Sequence, residues 1–270
     1  MKRIALSCIF ALVLGQAAVG ADLATKVPEI PRMAAPSWTG FYLGGHAGWA
    51  WTSNASATQT VTFSAPAPGG LLSAPNSSNL DGDGPVVGLH AGYNYQVGSW
   101  LMGVEGDISG TKLSASQTSP VLTFFNVPPI CTPAGSTCGS ATLAENIRWL
   151  GSVRGRLGYA WGPSLFYVTG GAAWANVSRN ATMFNSLIPS SNFPVSATSN
   201  QLGAVVGAGY EWMLSSNWLL RGEFLHYMFK QSSTLSNTLT IGAGNDFTAN
   251  NSWSHFNVNV ARLGLSYKFN

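Results

Sequence analysis

The side chains whose types and spacing suggest chemistry are carboxylates and arginines. Glu105 and Asp107, Arg154 and Arg156, and Arg221 and Glu223 each stand two positions apart, and Arg148, Glu211 and Arg262 occur in similar surroundings. A spacing of two puts side chains on the same face of a strand. Four acids and five arginines brought to one face would form a salt-bridged cluster, since the forked guanidinium suits carboxylates and buried charges must be paired. The near balance of the counts favours a plug over a charge-lined water path whose pairs re-partner to open. His46 and His90 are a possible ligand pair for a metal or haem, yet no third ligand accompanies them. Hydrogen-bonded interior histidines are the simpler expectation, and no metal or cofactor is expected.

Other groups carry less. A hydrolase would need a Ser–His pair oriented by a third group. Ser254 and His255 are adjacent, so on a strand they point apart, and His226 has no positioned serine; the chain is not expected to be an enzyme. Asp81-Gly82-Asp83-Gly84 lacks the later ligands of a calcium loop. Gly203 to Gly209 resembles a phosphate loop, but no helix pattern follows it. Cys131 and Cys138 flank Pro133 and Gly135, and in an exported chain they read as one local disulfide.

Composition says which elements must position these groups. Of 270 residues, 46% are hydrophobic and only 9% charged, against roughly 25% charged in an ordinary soluble domain. Lys2 and Arg3 belong to a leader; without them the thirteen Lys+Arg fall to eleven, against ten Asp+Glu. A near-neutral chain has no excess of cations with which to bind nucleic acid. Mean hydropathy is +0.14, and beyond the leader no run of about 18 apolar residues signals a membrane helix. Thirty-one Gly, ten Trp, eight Tyr and thirteen Phe point instead to a transmembrane β-barrel.

Residues 1–21 read as a secretory signal: basic Lys2 and Arg3, an apolar stretch from Ile4 to Leu14, and small residues allowing cleavage after Gly20 or Ala21. An Ala/Pro linker, 22–37, precedes the barrel, 38–270. Eight segments then alternate with period two: 40–51, 86–96, 99–109, 147–159, 164–175, 201–212, 217–229 and 258–269. In the first, Phe41, Leu43, Ala47, Trp49 and Trp51 share one face; Tyr42, Gly44, His46 and Gly48 share the other. In the last, Ala261, Leu263, Leu265, Tyr267 and Phe269 oppose Arg262, Gly264, Ser266 and Lys268. Charge and glycine keep to one face, and a nearly uniform apolar surface to the other.

Three connections are short: 97–98, 160–163 and 213–216. The other four, about 52–85, 110–146, 176–200 and 230–255, are long polar stretches unusual in a compact soluble domain. Alternating short and long joins are the outer-membrane pattern of periplasmic turns and external loops. Aromatics gather at both ends of the segments. Tyr93, Tyr95, Trp100, Tyr159, Trp161, Tyr210, Trp212, Trp218, Tyr267 and Phe269 mark the short-turn end; Trp49, Trp51, Trp149, Trp174 and Phe229 mark the other. Two such bands fit the interfacial girdles of a membrane barrel. The fold expected is all-β, an eight-stranded antiparallel up-and-down transmembrane barrel.

The stretches Trp38-Thr39-Gly40-Phe41-Tyr42-Leu43-Gly44-Gly45-His46-Ala47-Gly48-Trp49 and Val260-Ala261-Arg262-Leu263-Gly264-Leu265-Ser266-Tyr267-Lys268-Phe269 resemble the first and last strands of a known family. It is the small outer-membrane β-barrel (porin-like, immunogenic outer-membrane protein) family of alphaproteobacteria. Tyr167-Val168-Thr169-Gly170-Gly171-Ala172 and Val206-Gly207-Ala208-Gly209-Tyr210-Glu211 are similar to it as well. The resemblance implies an architecture like the OmpA membrane domain, with haemin binding associated with some members. Such barrels usually end in Phe, whereas Asn270 follows Phe269 here.

The expected protein is exported to the Gram-negative outer membrane, with a structural or surface-interacting role carried by its external loops. A narrow porin-like channel and a haemin-binding surface protein are the alternatives. Expected partners are outer-membrane lipid, lipopolysaccharide and, during biogenesis, the barrel assembly machinery; nucleic acid is not among them.

Overall fold

The computed structural model describes residues 37–64, 76–122, 137–185, 192–230, 232–240 and 246–269. Its strands, in chain order, are β1 (Gly40–Ser53), β2 (Ser56–Ser64), β3 (Asn76–Asn79), β4 (Asp83–Val97), β5 (Trp100–Leu122), β6 (Thr137–Trp161), β7 (Ser164–Asn185), β8 (Asn192–Met213), β9 (Trp218–Phe229), β10 (Ser233–Thr240), β11 (Asp246–Trp253) and β12 (Phe256–Lys268). Eight of them close a barrel in the order β1-β12-β9-β8-β7-β6-β5-β4, every neighbour antiparallel. The seam joins the first and last strands from Tyr42↔Lys268 to Ser53↔Asn257. The eight alternating segments of the sequence are the eight barrel strands.

Side-chain alternation sets which surface faces in. On β4, Val87 is 65% exposed while His90, three residues on and on the opposite face, is 1% exposed. Phe41, Leu89, Met102, Val104, Ile108, Val168, Leu202 and Leu263 stand bare on the outer wall. An apolar face this extensive on a single chain belongs in contact with lipid tails. At the short-turn end Phe41–Tyr93, Trp100–Tyr159, Phe166–Tyr210 and Trp218–Tyr267 pair with ring centroids 4.7, 5.5, 4.8 and 5.3 Å apart. Two of the turns at that end place glycine where only glycine is comfortable, Gly98 at φ 60° and Gly162 at φ 58°.

The far end differs from expectation in three ways. First, the connections 110–146 and 176–200 are largely strand: β5–β8 run on beyond the wall, pairing as far as Leu122↔Thr137, Gly139↔Asn185 and Phe184↔Asn192. Crossing a membrane takes about 9–11 residues of strand, and β6 has 25. Second, the first and last long connections pair with each other in a sheet of order β10-β11-β2-β3. In it β10 lies beside β8 and β3 beside β5, so the two sets of strands together form an external crown. Third, Phe229, expected in the outer girdle, is fully buried inside and stacks between Tyr227 and Phe256.

The interior is filled in layers. Near the turns, Trp38, Leu101, Ala160, Leu165, Tyr167, Met213 and Leu219 form a small apolar cluster. Toward and into the crown a larger cluster includes Leu80, Leu113, Ile147, Val205, Leu225, Tyr227, Phe229, Trp253 and Phe256. The charged residues lie in the lumen with these two clusters. The leader (1–21) and all of the linker (22–37) except Ser37 fall outside the described residues, as does Cys131 and with it the expected Cys131–Cys138 pairing.

Candidate functional site

The lumen-facing positions of seven strands converge on one ionic layer. Glu105 and Asp107 come from β5, Arg154 and Arg156 from β6, Glu211 from β8, Arg221 and Glu223 from β9 and Arg262 from β12; Tyr42 of β1 and Tyr167 of β7 complete the ring. The register places these groups at similar heights: Glu105 lies opposite Arg154, Glu211 opposite Arg221, and Glu223 opposite Arg262. All are buried.

Glu105 is the hub. Arg154 donates to it, and Arg221 Nη1 donates at 2.9 Å with its Nη2 lying 2.7 Å from the same carboxylate. Tyr42 OH donates at 2.7 Å and itself accepts from Arg156 at 2.7 Å. Arg156 reaches Glu211 at 2.6 Å with its guanidinium carbon 3.9 Å above the Tyr167 ring, and Arg221 also donates to Glu211 at 2.8 Å. On the other side Arg154 meets Glu223 at 2.9 Å and Asp107 at 3.1 Å. Arg262 holds Glu223 at 2.6 Å and Asp107 at 3.2 Å. Ser152 donates to Asp107, and Tyr167 OH to Glu223 at 3.0 Å. Every carboxylate meets at least two arginines, an arrangement that offsets the desolvation of buried charge.

One expected member is absent. Arg148 is exposed, because β6 carries an extra residue between the pairs Ile147↔Val177 and Trp149↔Asn176. That bulge changes the inward parity from odd to even, so Ile147 and Leu150 face in and Arg148 faces out. Without it the layer holds four carboxylates and four guanidinium groups and is neutral.

His46 and His90 meet beside this layer, their Nδ1 atoms 3.1 Å apart and their rings stacked. Arg262 Nη1 lies 3.1 Å from His46 Nε2, and arginine only donates, so that nitrogen accepts. His46 therefore carries its proton on Nδ1 and gives it to His90 Nδ1. His90 in turn donates through Nε2 to Ser266 at 2.7 Å, while Ser109 also contacts His46 Nε2 at 2.7 Å. All four ring nitrogens are engaged. Among the described residues no group of three or more His, Cys, Asp or Glu is placed to hold a metal.

The remaining candidates stay apart. His226, on the outer face of β9, pairs with Asn259 at 2.7 Å, and Ser254 Oγ faces Ser56 Oγ at 2.9 Å. The partners that charge spacing alone did not single out are Tyr42, Tyr167, Ser109, Ser152 and Ser266. Their inward parity on the strands was the signal available. A second buried pair, Arg179–Glu145 at 2.7 Å, sits in the crown, where burial raises the Glu145 carboxyl against the opposing pull of Arg179.

A closed eight-stranded barrel with a lipid-facing wall and an inward ionic layer can be compared with known proteins. The sequence profile of the family described as outer membrane protein beta-barrel domain matches residues 23–269. The chain belongs to this family. It is 29% identical to the 31 kDa outer-membrane immunogenic protein of Brucella melitensis biotype 1, across the full length of both chains. It is also 26% identical to the 22 kDa outer membrane protein of Rhizobium leguminosarum bv. viciae, over 89% of this chain and 82% of that one. Among solved structures it is similar to the outer membrane protease OmpT from Escherichia coli, at TM-score 0.47 and 9% identity over 85% and 97% of the two chains. OprG from Pseudomonas aeruginosa gives TM-score 0.41 and 8% identity over 86% and 96%. Like its alphaproteobacterial relatives, this outer membrane β-barrel protein resides in the Gram-negative outer membrane.

Proposed function

We propose that this outer membrane β-barrel is a closed anchor, whose role is to hold a folded crown at the cell surface and to contribute to envelope integrity. One observation carries the reading: the neutral layer of four carboxylates and four arginines, locked in multiple ion pairs, in a lumen that also holds apolar clusters toward both ends. An ion entering that path would have to break paired charges and displace packed Tyr227, Phe229 and Trp253 on one side or Trp38 and Leu101 on the other. Conduction needs sites that bind weakly enough to release, and this layer is built of close, mutually satisfied contacts. The crown, made of β2, β3, β10 and β11 with the extensions of β5–β8, is the part presented outward. Relatives named as immunogenic outer-membrane proteins fit a protein whose exposed face meets other molecules.

The reading is tested by swelling of proteoliposomes in iso-osmotic arabinose. Vesicles carrying the refolded protein should behave as protein-free vesicles do. Swelling proportional to the amount of protein would overturn the closed-anchor reading in favour of a solute channel.

A further inference from the structure

Outside the lumen, a second register shift at the height of that bulge, between β5 and β6, builds another feature. Strands β5 and β6 pair at Gly110↔Trp149 and next at Leu113↔Ile147. Thr111 and Lys112 are thereby left facing Arg148 across an irregular step, and Lys112 and Arg148 are both exposed. Among the described residues the only other exposed cation is Lys230. Neither Lys112 nor Arg148 pairs with a described carboxylate within ion-pair distance. Asp83, which pairs in register with Ser114 on β5, is engaged by Trp49 Nε1 at 2.8 Å.

Directly below the step, on the lipid-facing wall, lies a groove of about 510 Å³. The register gives its plan. One row across the wall is Leu89, Ile108, Gly151 and Trp174; the next, toward the turns, is Ala91, Gly106, Val153 and Ala172. Gly106, Gly151 and Ala91 make a low floor, and Ile108, Leu89, Val153, Trp149 and Trp174 are among its walls. The lining is almost wholly apolar. Three residues of strand separate Gly151 from Arg148, about 10 Å at roughly 3.3 Å per residue.

We infer that this groove and the Lys112–Arg148 pair form a binding site for a phosphorylated, acylated glycolipid of the outer leaflet, with an acyl chain in the groove and its phosphate between the two cations. The membrane supplies acyl chains to any depression on this wall, so the cations decide which lipid occupies it. Cations without a carboxylate partner on the outside of a barrel are tolerated only near the interface, where the cost of a charge against lipid falls away. There they meet headgroup phosphate, which both guanidinium and ammonium bind. The inference stands apart from the closed-lumen reading, since no lumen side chain takes part.

The test is native mass spectrometry of the refolded full chain in micelles doped with bis-phosphorylated, hexa-acylated lipid A. Wild-type protein should retain one lipid A. The Lys112→Gln/Arg148→Gln variant should bind about tenfold more weakly, the loss of at least one charge-assisted contact. Gly106→Leu should also weaken binding by filling the floor; a Cβ there meets only Ser152 O, at an ordinary contact distance of 3.8 Å, so the backbone accepts a side chain at this position. Lys230→Gln should bind as wild type, lipid A stripped of phosphate should bind wild-type protein as weakly as intact lipid A binds the double variant, and excess inorganic phosphate should not displace the lipid. The inference is overturned by absent wild-type retention, by a double variant that binds normally, by an equal loss in Lys230→Gln, or by displacement with free phosphate. Because each variant is on the outer surface, heat-modified gel migration should confirm that all of them fold.

Discussion

Replacing Arg154 by Met removes one cation from the ionic layer while keeping a side chain of similar reach. The guanidinium is fully buried and touches three carboxylates: Glu105, Asp107 at 3.1 Å and Glu223 at 2.9 Å. Its loss leaves four carboxylates with three arginines. Breaking a buried pair from one side costs about 3–5 kcal/mol. Here each stranded carboxylate keeps another arginine: Arg221 on Glu105, and Arg262 on Asp107 and on Glu223. The expectation therefore sits at the lower end, about 3 kcal/mol, or roughly a hundredfold in the unfolding constant. Urea unfolding of protein refolded into micelles, followed by tryptophan fluorescence and by heat-modified migration, measures it. A second substitution, Asp107→Asn, restores the balance at three against three and should recover at least half of the loss. A single variant within about 1 kcal/mol of wild type, the range of exposed pairs, would refute the reasoning. So would a double variant whose cost is the sum of the two singles.

Two further outcomes follow from other parts of the structure. Gly92 sits against the Tyr42 hydroxyl, leaving no room for a Cβ; Gly92→Val should displace Tyr42 from Glu105 and cost about 1–3 kcal/mol, read in the same unfolding assay. In the crown, burial holds the Glu145 carboxyl above its ordinary value of 4.5, so the folded state binds that proton more tightly than the unfolded chain. The associated stability is present below about pH 4.5 and is lost as pH rises through the raised folded-state value. Protease cleavage of the crown should accordingly be faster at neutral pH than at pH 5, and Glu145→Gln should flatten that difference; an unchanged pH dependence in the variant contradicts the assignment.

Parity carried most of the fold. The eight barrel segments, the short turns, the inward Glu105, Asp107, Arg154, Arg156, Glu211, Arg221, Glu223 and Arg262, and the inward and outward faces except at Arg148 and Phe229 were legible from period two. Arg148 was misplaced because a bulge adds a residue without changing composition. The adjacent apolar pair Trp149-Leu150 is the local break in alternation that marks it. Phe229 shares the odd parity of Arg221 and Glu223 and so was readable as inward; its nearness to the long connection obscured this. The crown was not legible, since Ser, Thr, Asn and Pro rich stretches read as loops. Their strand character comes from pairing with distant partners, as in Phe247↔Phe63 across the two outermost connections. The histidine contact was also beyond spacing alone, for it depends on the relative height of β1 and β4, with His46 opposite Gly88 and His90 opposite Gly44.

Single-channel recording of the refolded protein in planar bilayers tests the closed lumen most directly. Wild-type protein should give a flat baseline with no reproducible conductance steps, and Arg154→Ala, which leaves a gap in the charged layer, should be leakier than wild type. Uniform, recurring steps from wild-type protein, unchanged by that substitution, would show that ions pass by a route the interior described here does not contain.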